Sequence, residues 1–189
     1  MTDSFSVWHK RVAVVTALCG VVSGCKSGGG DAVVISEFVA SNGNGITDGD
    51  GETSDWIELF NAGQNNVNLE GWRLTDNPNE PWRWTFPPTE LEPGQYVVVF
   101  ASGKAQNPSD SELHTAFRLK GSADYLALLR PNGRVAHEFA PYPEQQNDVS
   151  FGVGSDGVTG FLQTPTPNAP NSPSVRKNKD TKSKNGSGE

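Results

Sequence analysis

One stretch restricts the folds open to this chain more than any other: Ser54-Asp55-Trp56-Ile57-Glu58-Leu59-Phe60-Asn61. With the two-residue period of a strand, Trp56 and Phe60 fall on one face and Ile57 and Leu59 on the other. A strand apolar on both faces must be covered on both, so this one is expected at the centre, with the rest of the chain packed around it. Glu58, in its middle, reads as a strand-edge carboxylate satisfied by backbone or an arginine rather than as an acid catalyst. An acidic, Gly-rich loop (Asp48 to Thr53) leads in, and the turn Asn61-Ala62-Gly63-Gln64-Asn65 leads out.

The segments around it share this character. Val33 to Ala40 is rich in β-branched and aromatic residues and reads as the first strand, with Glu37 interrupting its apolar face. Val67 to Thr75 is the third, with Gly71 expected at a bulge. Trp82-Arg83-Trp84-Thr85-Phe86 alternates strictly and reads as a strand with three aromatics on one face. Glu92-Pro93-Gly94-Gln95 fits a type II turn. Tyr96 to Ala101 is a continuous apolar run. Phe117 and Leu119 are assigned to a short strand, with His114 just before it. Asp124 to Arg130 and Val135 to Phe139 flank Pro131-Asn132-Gly133, a hairpin signal. Beyond Ala140 the chain reads as irregular, wrapping the edge of the fold. With 21 Gly and 13 Pro in 189 residues and no amphipathic helix, the pattern predicts an all-β sandwich.

The ends differ from this core. His9-Lys10-Arg11 precedes an apolar run, Val12 to Val22, too short to span a bilayer. The run closes on Val22-Ser23-Gly24-Cys25, which resembles a bacterial lipobox, where the cysteine is lipidated and becomes the first mature residue. The competing readings are an ordinary signal peptide or a buried helix with a chance cysteine. The lipobox reading divides the chain into a signal peptide (1–24), a flexible tether (25–30), a folded domain (31–171) and a disordered basic tail (172–189). Cys19 would be discarded with the signal, leaving Cys25 alone and no disulfide within the domain. The reading places the protein in the cell envelope, held to a membrane through a lipid on Cys25. Lys26 is not Asp, so the usual inner-membrane retention signal is missing, which leans toward the outer membrane.

Charge separates domain from tail. Residues 31–170 hold 7 basic and 19 acidic residues, a net −12, whereas residues 171–189 hold 5 basic and 2 acidic, a net +3. So acidic a domain repels phosphate backbones, and no nucleic-acid partner is expected. Arg176, Lys177, Lys179, Lys182 and Lys184 either contact an anionic envelope polymer or keep the tail solvated.

Several motifs together resemble a known family. Asp55 to Asn61, Leu69-Glu70-Gly71-Trp72-Arg73-Leu74-Thr75-Asp76 and Trp84-Thr85-Phe86-Pro87 are similar to lamin-tail domains. Tyr96 to Phe100, then His114, Phe117 and Leu119, Ser150-Phe151-Gly152 and Thr164-Pro165-Thr166-Pro167-Asn168 follow in order, so the resemblance spans roughly Val33 to Asn171. It implies an immunoglobulin-like β-sandwich of lamin-tail type. Bacterial members of such a family are exported and often sit beside other modules. The coiled-coil rod of nuclear lamins is absent, so no filament role carries over, and the family offers no shared catalytic residues.

Little in the chain suggests catalysis. His114 and His137 are the only histidines outside the signal, and no nucleophile-elbow, zinc-protease or nucleotide-binding motif occurs. A non-enzymatic adhesion or scaffold module with an unknown protein partner is therefore expected. A polysaccharide-binding module is the alternative, with Trp82 and Trp84 as a sugar-stacking platform if their rings are exposed and coplanar, and a hydrolase accessory domain ranks behind it. Asp48, Asp50, Glu52 and Asp55 place four carboxylates in eight residues, which suggests Ca²⁺ held by hard oxygen ligands. The spacing begins like an EF-hand but lacks Gly at its sixth position, and Leu59 stands at its twelfth. The alternative is a solvated acidic turn.

Overall fold

The computed structural model describes residues 32–104 and 111–175. The expected signal peptide, the expected lipidation position Cys25, the expected tether and the basic residues of the tail lie outside them.

Among the described residues twelve strands follow in chain order: β1 (Val33–Val39), β2 (Asp55–Asn61), β3 (Val67–Asn68), β4 (Arg73–Thr75), β5 (Trp84–Thr85), β6 (Glu90–Leu91), β7 (Tyr96–Ala101), β8 (Leu113–His114), β9 (Asp124–Leu129), β10 (Val135–Tyr142), β11 (Phe151–Val153) and β12 (Thr159–Phe161). They form a six-stranded sheet, β12-β11-β1-β2-β7-β8, a four-stranded sheet, β10-β9-β4-β5, and a short ribbon, β3-β6. The two main sheets enclose the core in the manner of an immunoglobulin-like sandwich. No helix among the described residues is long and apolar enough to cross a membrane.

β2 is central as its sequence requires, flanked by β1 and β7 along its whole length. Its inner face, Ile57 and Leu59, meets Leu74, Leu126 and Leu128 from the opposite sheet, all fully buried. Phe38, Phe139, Tyr142 and Phe151 close one end of this core, with ring centroids 4.9–5.9 Å from Phe38. Each such aromatic removes a large apolar area from water, which replaces the disulfide the domain lacks. The outer face of β2 is also covered: Trp56 packs with Val39 and Phe100 in a second, smaller cluster.

The local turns follow their chemistry. Gly94 has φ 78° and Gln95 N–H donates to the Glu92 carbonyl at 3.0 Å, as a type II turn demands. The Pro131–Gly133 hairpin closes with Arg130 N–H donating to the Arg134 carbonyl and Gly133 N–H to the Arg130 carbonyl, both at 2.9 Å, with Gly133 at φ 80°.

Elsewhere the structure corrects the sequence reading. Val67 to Thr75 is two strands in different sheets, and Gly71 (φ 78°) lies in the turn between them rather than at a bulge. Only Trp84 and Thr85 of the alternating aromatic stretch enter a ladder. Trp82 and Arg83 belong to a preceding turn, tied down by an Arg83–Asp76 ion pair at 3.1 Å and by Thr75 Oγ1 donating to the Asn77 and Glu80 carbonyls. The short strand is Leu113–His114, with Arg118 in an isolated bridge to Ser102. Residues 151–161, expected to be irregular, supply β11 and β12 and extend the larger sheet. Finally, the fold runs on to residue 175: Ser174 is buried and bridges Leu162, and Val175 N–H donates to the Phe161 carbonyl.

Candidate functional site

The acidic loop folds around a cation of its own. Lys104 Nζ lies 2.8 Å from Asp48 Oδ2, 2.6 Å from Asp50 Oδ2 and 3.2 Å from Glu52 Oε2. Asp48 is also bonded from within the loop, Oδ1 accepting from the Asp50 and Glu52 N–H groups at 3.1 and 2.9 Å. Its burial opposes ionisation, but the Lys104 ammonium and these amides win and hold the carboxyl below its ordinary range. The three carboxylates in turn raise the Lys104 ammonium well above its usual value. Three of the four expected ligands therefore converge, and an ammonium fills their focus. Asp55 departs from the expected set: Oδ1 turns to Asn42 N–H at 3.2 Å. Among the described residues no group of three His, Cys, Asp or Glu side chains is arranged to hold a metal ion.

The tryptophans separate as well. Trp84 is buried and meets Phe86 edge-on, with centroids 4.4 Å apart, so it belongs to the core and not to a platform. Trp82 is 65% exposed, with the Arg73 guanidinium 4.3 Å above its ring. The two coplanar exposed rings of a sugar platform do not form.

His114 lies inside β8, not ahead of a strand. Its Nδ1 is 3.0 Å from Ser102 Oγ and its Nε2 is 3.7 Å from Glu112 Oε2, while the ring stacks on Phe100. The set has the composition of a nucleophile–base–acid triad. However, Ser102 is only 2% exposed and its oxygen already accepts the Lys104 N–H, so the hydroxyl serves the loop. His137 packs edge-on against Phe139, and burial lowers its proton affinity.

The most unusual polar group is one the sequence reading missed. β1 carries a bulge between Ile35 and Glu37, after which Glu37 pairs directly with Glu58 of β2. Both carboxylates lie on the outer face of the larger sheet, and both are fully buried. Glu58 is thus not at an edge and has no arginine partner: Oε1 accepts from Ser36 Oγ at 2.6 Å and Oε2 from Asn168 N–H. Glu37 Oε1 accepts from both the N–H and the hydroxyl of Thr166, at 2.7 and 3.0 Å. Glu37 Oε2 and Ser150 Oγ are both buried and have no other partner; the Ser150 hydroxyl, too loosely placed for a well-formed hydrogen bond, still favours the Glu37 ion. Burial pushes Glu37 above its ordinary range. Burial, and then the charge of Glu37, push Glu58 to about 7 against the bonds that favour its ion.

The cover over this pair is the motif Thr164-Pro165-Thr166-Pro167-Asn168. Proline has no N–H, so the only backbone donors from residue 165 to 168 are those of Thr166 and Asn168, and each serves one carboxylate. Asn171 Nδ2 ties the segment to the sheet, donating to the Ser36 and Val153 carbonyls at 3.0 and 2.9 Å.

The fold defines an all-β module of immunoglobulin type in which the conspicuous polar clusters are bonded inward. The chain matches the family model of the Lamin Tail Domain over residues 27–142, more than half its length, and it belongs to that family. No curated protein matches it. The matched region stops at the end of β10, while β11 and β12 complete the larger sheet beyond it and the 164–171 segment lies over its outer face.

Proposed function

We propose that this protein is a non-enzymatic surface lipoprotein of bacterial type that presents a lamin-tail sandwich for adhesion, scaffolding or protein interaction. The observation that carries this reading is Val22-Ser23-Gly24-Cys25 at the close of a basic-then-apolar leader, with the first strand starting soon after, at Val33. The state of the reactive-looking side chains agrees with it: the Ser102 hydroxyl, the Glu37–Glu58 pair and Asp48 are all buried and bonded within the fold. The several acyl chains of a lipidated N-terminal cysteine would hold the domain firmly, where one chain holds only marginally. The test is fractionation of cells producing the wild type and Cys25→Ser. The variant is expected to leave the membrane fraction, and equal recovery there would refute the anchor.

A second reading, polysaccharide binding, keeps support from one residue. Trp82 is the most exposed aromatic side chain of the described fold, and Arg73 beside it suits an acidic sugar. Binding on a glycan array that Trp82→Ala abolishes, at unchanged melting temperature, would favour this reading over protein interaction.

A further inference from the structure

We propose that the 164–171 segment is a proton-controlled clasp: a proton held between Glu37 and Glu58 keeps it closed over the outer face of the larger sheet, and loss of that proton releases it.

The geometry supplies each part. Two acids occupy directly opposed positions on adjacent central strands and share one buried compartment. The groups around them offer no positive charge. β7 contributes Val98, opposite Glu58, and Tyr96, whose phenol feels both carboxylates. β11 contributes Gly152, the chain before it Ser150, β1 Ser36, and the clasp Thr166, Asn168 and Asn171. Among the described residues the only titratable groups facing the pair are thus the two glutamates and Tyr96. Two carboxylate ions held together without a cation repel each other and stay unsolvated. One proton on the pair removes the repulsion and leaves a single buried charge for the surrounding donors, Ser36, Ser150, Thr166 and Asn168, to satisfy. When that proton is lost, the least disruptive way to solvate both ions is to lift the cover, because the clasp is held to the strands mainly by hydrogen bonds that water can replace.

Lifting it has a consequence beyond the pair. Pro165 and Pro167 form one wall of a 360 Å³ hollow whose other walls include Val39, Ile46 and Trp56. Trp56 is 1% exposed with the clasp closed. Release would present an apolar, tryptophan-floored surface that the closed form hides.

The test is amide hydrogen exchange of the full-length protein, read at Thr166 and Asn168 and expressed as protection factors between pH 5 and pH 8. These factors should fall by about tenfold or more as pH rises. Throughout, they should stay below those of Leu126 and Leu128 in β9, since the opening is local. Glu58→Gln keeps an acceptor for Asn168 and cannot ionise; in it, or in Glu37→Gln should the first variant not fold, the pH dependence should flatten. Constant protection in the wild type would overturn the proposal. So would an equal fall in both variants, or clasp amides that exchange only as slowly as those of β9.

Discussion

Gly152 lies flat against β1, paired with Glu37, so that a Cβ at this position would sit 2.7 Å from the Glu37 Cα and closer still to the Ser36 carbonyl oxygen. Both obstacles are backbone, and both belong to the bulge that aligns the two glutamates. Relief of the clash would move β11 away from β1 or undo the bulge. Gly152→Ala should therefore destabilise the domain by about 2 kcal/mol or more, the usual cost of overpacking against rigid atoms. Thermal melting should show a loss of several degrees. An unchanged melting temperature would mean that the contact is not tight.

Glu58 gives stability a pH dependence opposite in sign to that of most carboxylates. Its folded-state pKa is raised from 4.5 to about 7, so its contribution is fully present below about 4.5 and is lost as pH rises through about 7. Asp48, Asp148 and Asp156 are depressed by hydrogen bonds, and Asp48 also by the charge of Lys104; their contribution is present above 3.8 and is lost as pH falls. The wild type should thus be most stable near pH 5. Between pH 5 and 8 its stability should fall by on the order of 2–3 kcal/mol, a difference that Glu58→Gln should largely remove. Melting curves at the two pH values, for both proteins, decide this.

What the sequence disclosed and what it concealed divide along one physical line. The type II turn at 92–95 and the hairpin at 130–134 were legible because Pro and Gly fix the backbone locally, and β2 was legible because apolar residues on both faces demand cover. The Glu37–Glu58 pair was not, because a one-residue bulge, set by contacts with β2 and β11, decides which face Glu37 takes. The clasp joins Glu58 to Asn168 across 110 residues, and Lys104 reaches Asp48 across 56. No local pattern encodes such meetings. The alternating aromatics misled for a related reason: the Arg83–Asp76 ion pair holds the chain in a turn, which leaves Trp82 outside the strand.

The position of Lys104 bears on calcium. An ammonium at the focus of Asp48, Asp50 and Glu52 balances the charge that a divalent ion would otherwise balance. Millimolar Ca²⁺ should therefore leave the wild-type melting temperature within about a degree of its value in chelator. Lys104→Ala leaves the three carboxylates uncompensated and should melt lower in chelator. In this variant Ca²⁺ should recover part of the loss, approaching about 2.7 kcal/mol if the ion is a hundredfold above its dissociation constant. An equal calcium response in both proteins would mean that the metal binds elsewhere, or that the lysine does not hold the loop.

The C-terminal boundary offers the sharpest mapping test. The sequence placed the end of the domain at residue 171, yet the next four residues take part in the fold. Ser174 Oγ donates to Asp156 Oδ2 at 2.7 Å, and its N–H reaches Asp156 Oδ1. Ser172 Oγ bonds the Thr164 carbonyl at 2.8 Å, at the start of the clasp. Gly154 is held so near Pro173 and Ser174 that a Cβ there would lie 2.7 Å from the Ser174 N. A chain ending at 175 keeps all of these contacts and should melt with the full-length protein. A chain ending at 171 loses the Ser174–Leu162 bridge and both hydroxyl bonds, leaving Asp156 without a side-chain donor from residues 172–175. With each such bond contributing about 1 kcal/mol, the shorter chain should melt several degrees lower. It should also show faster amide exchange in the clasp, because Ser172 anchors one of its ends. Identical melting of the two truncations would place the true boundary at 171 and remove residues 172–175 from the fold's energetics.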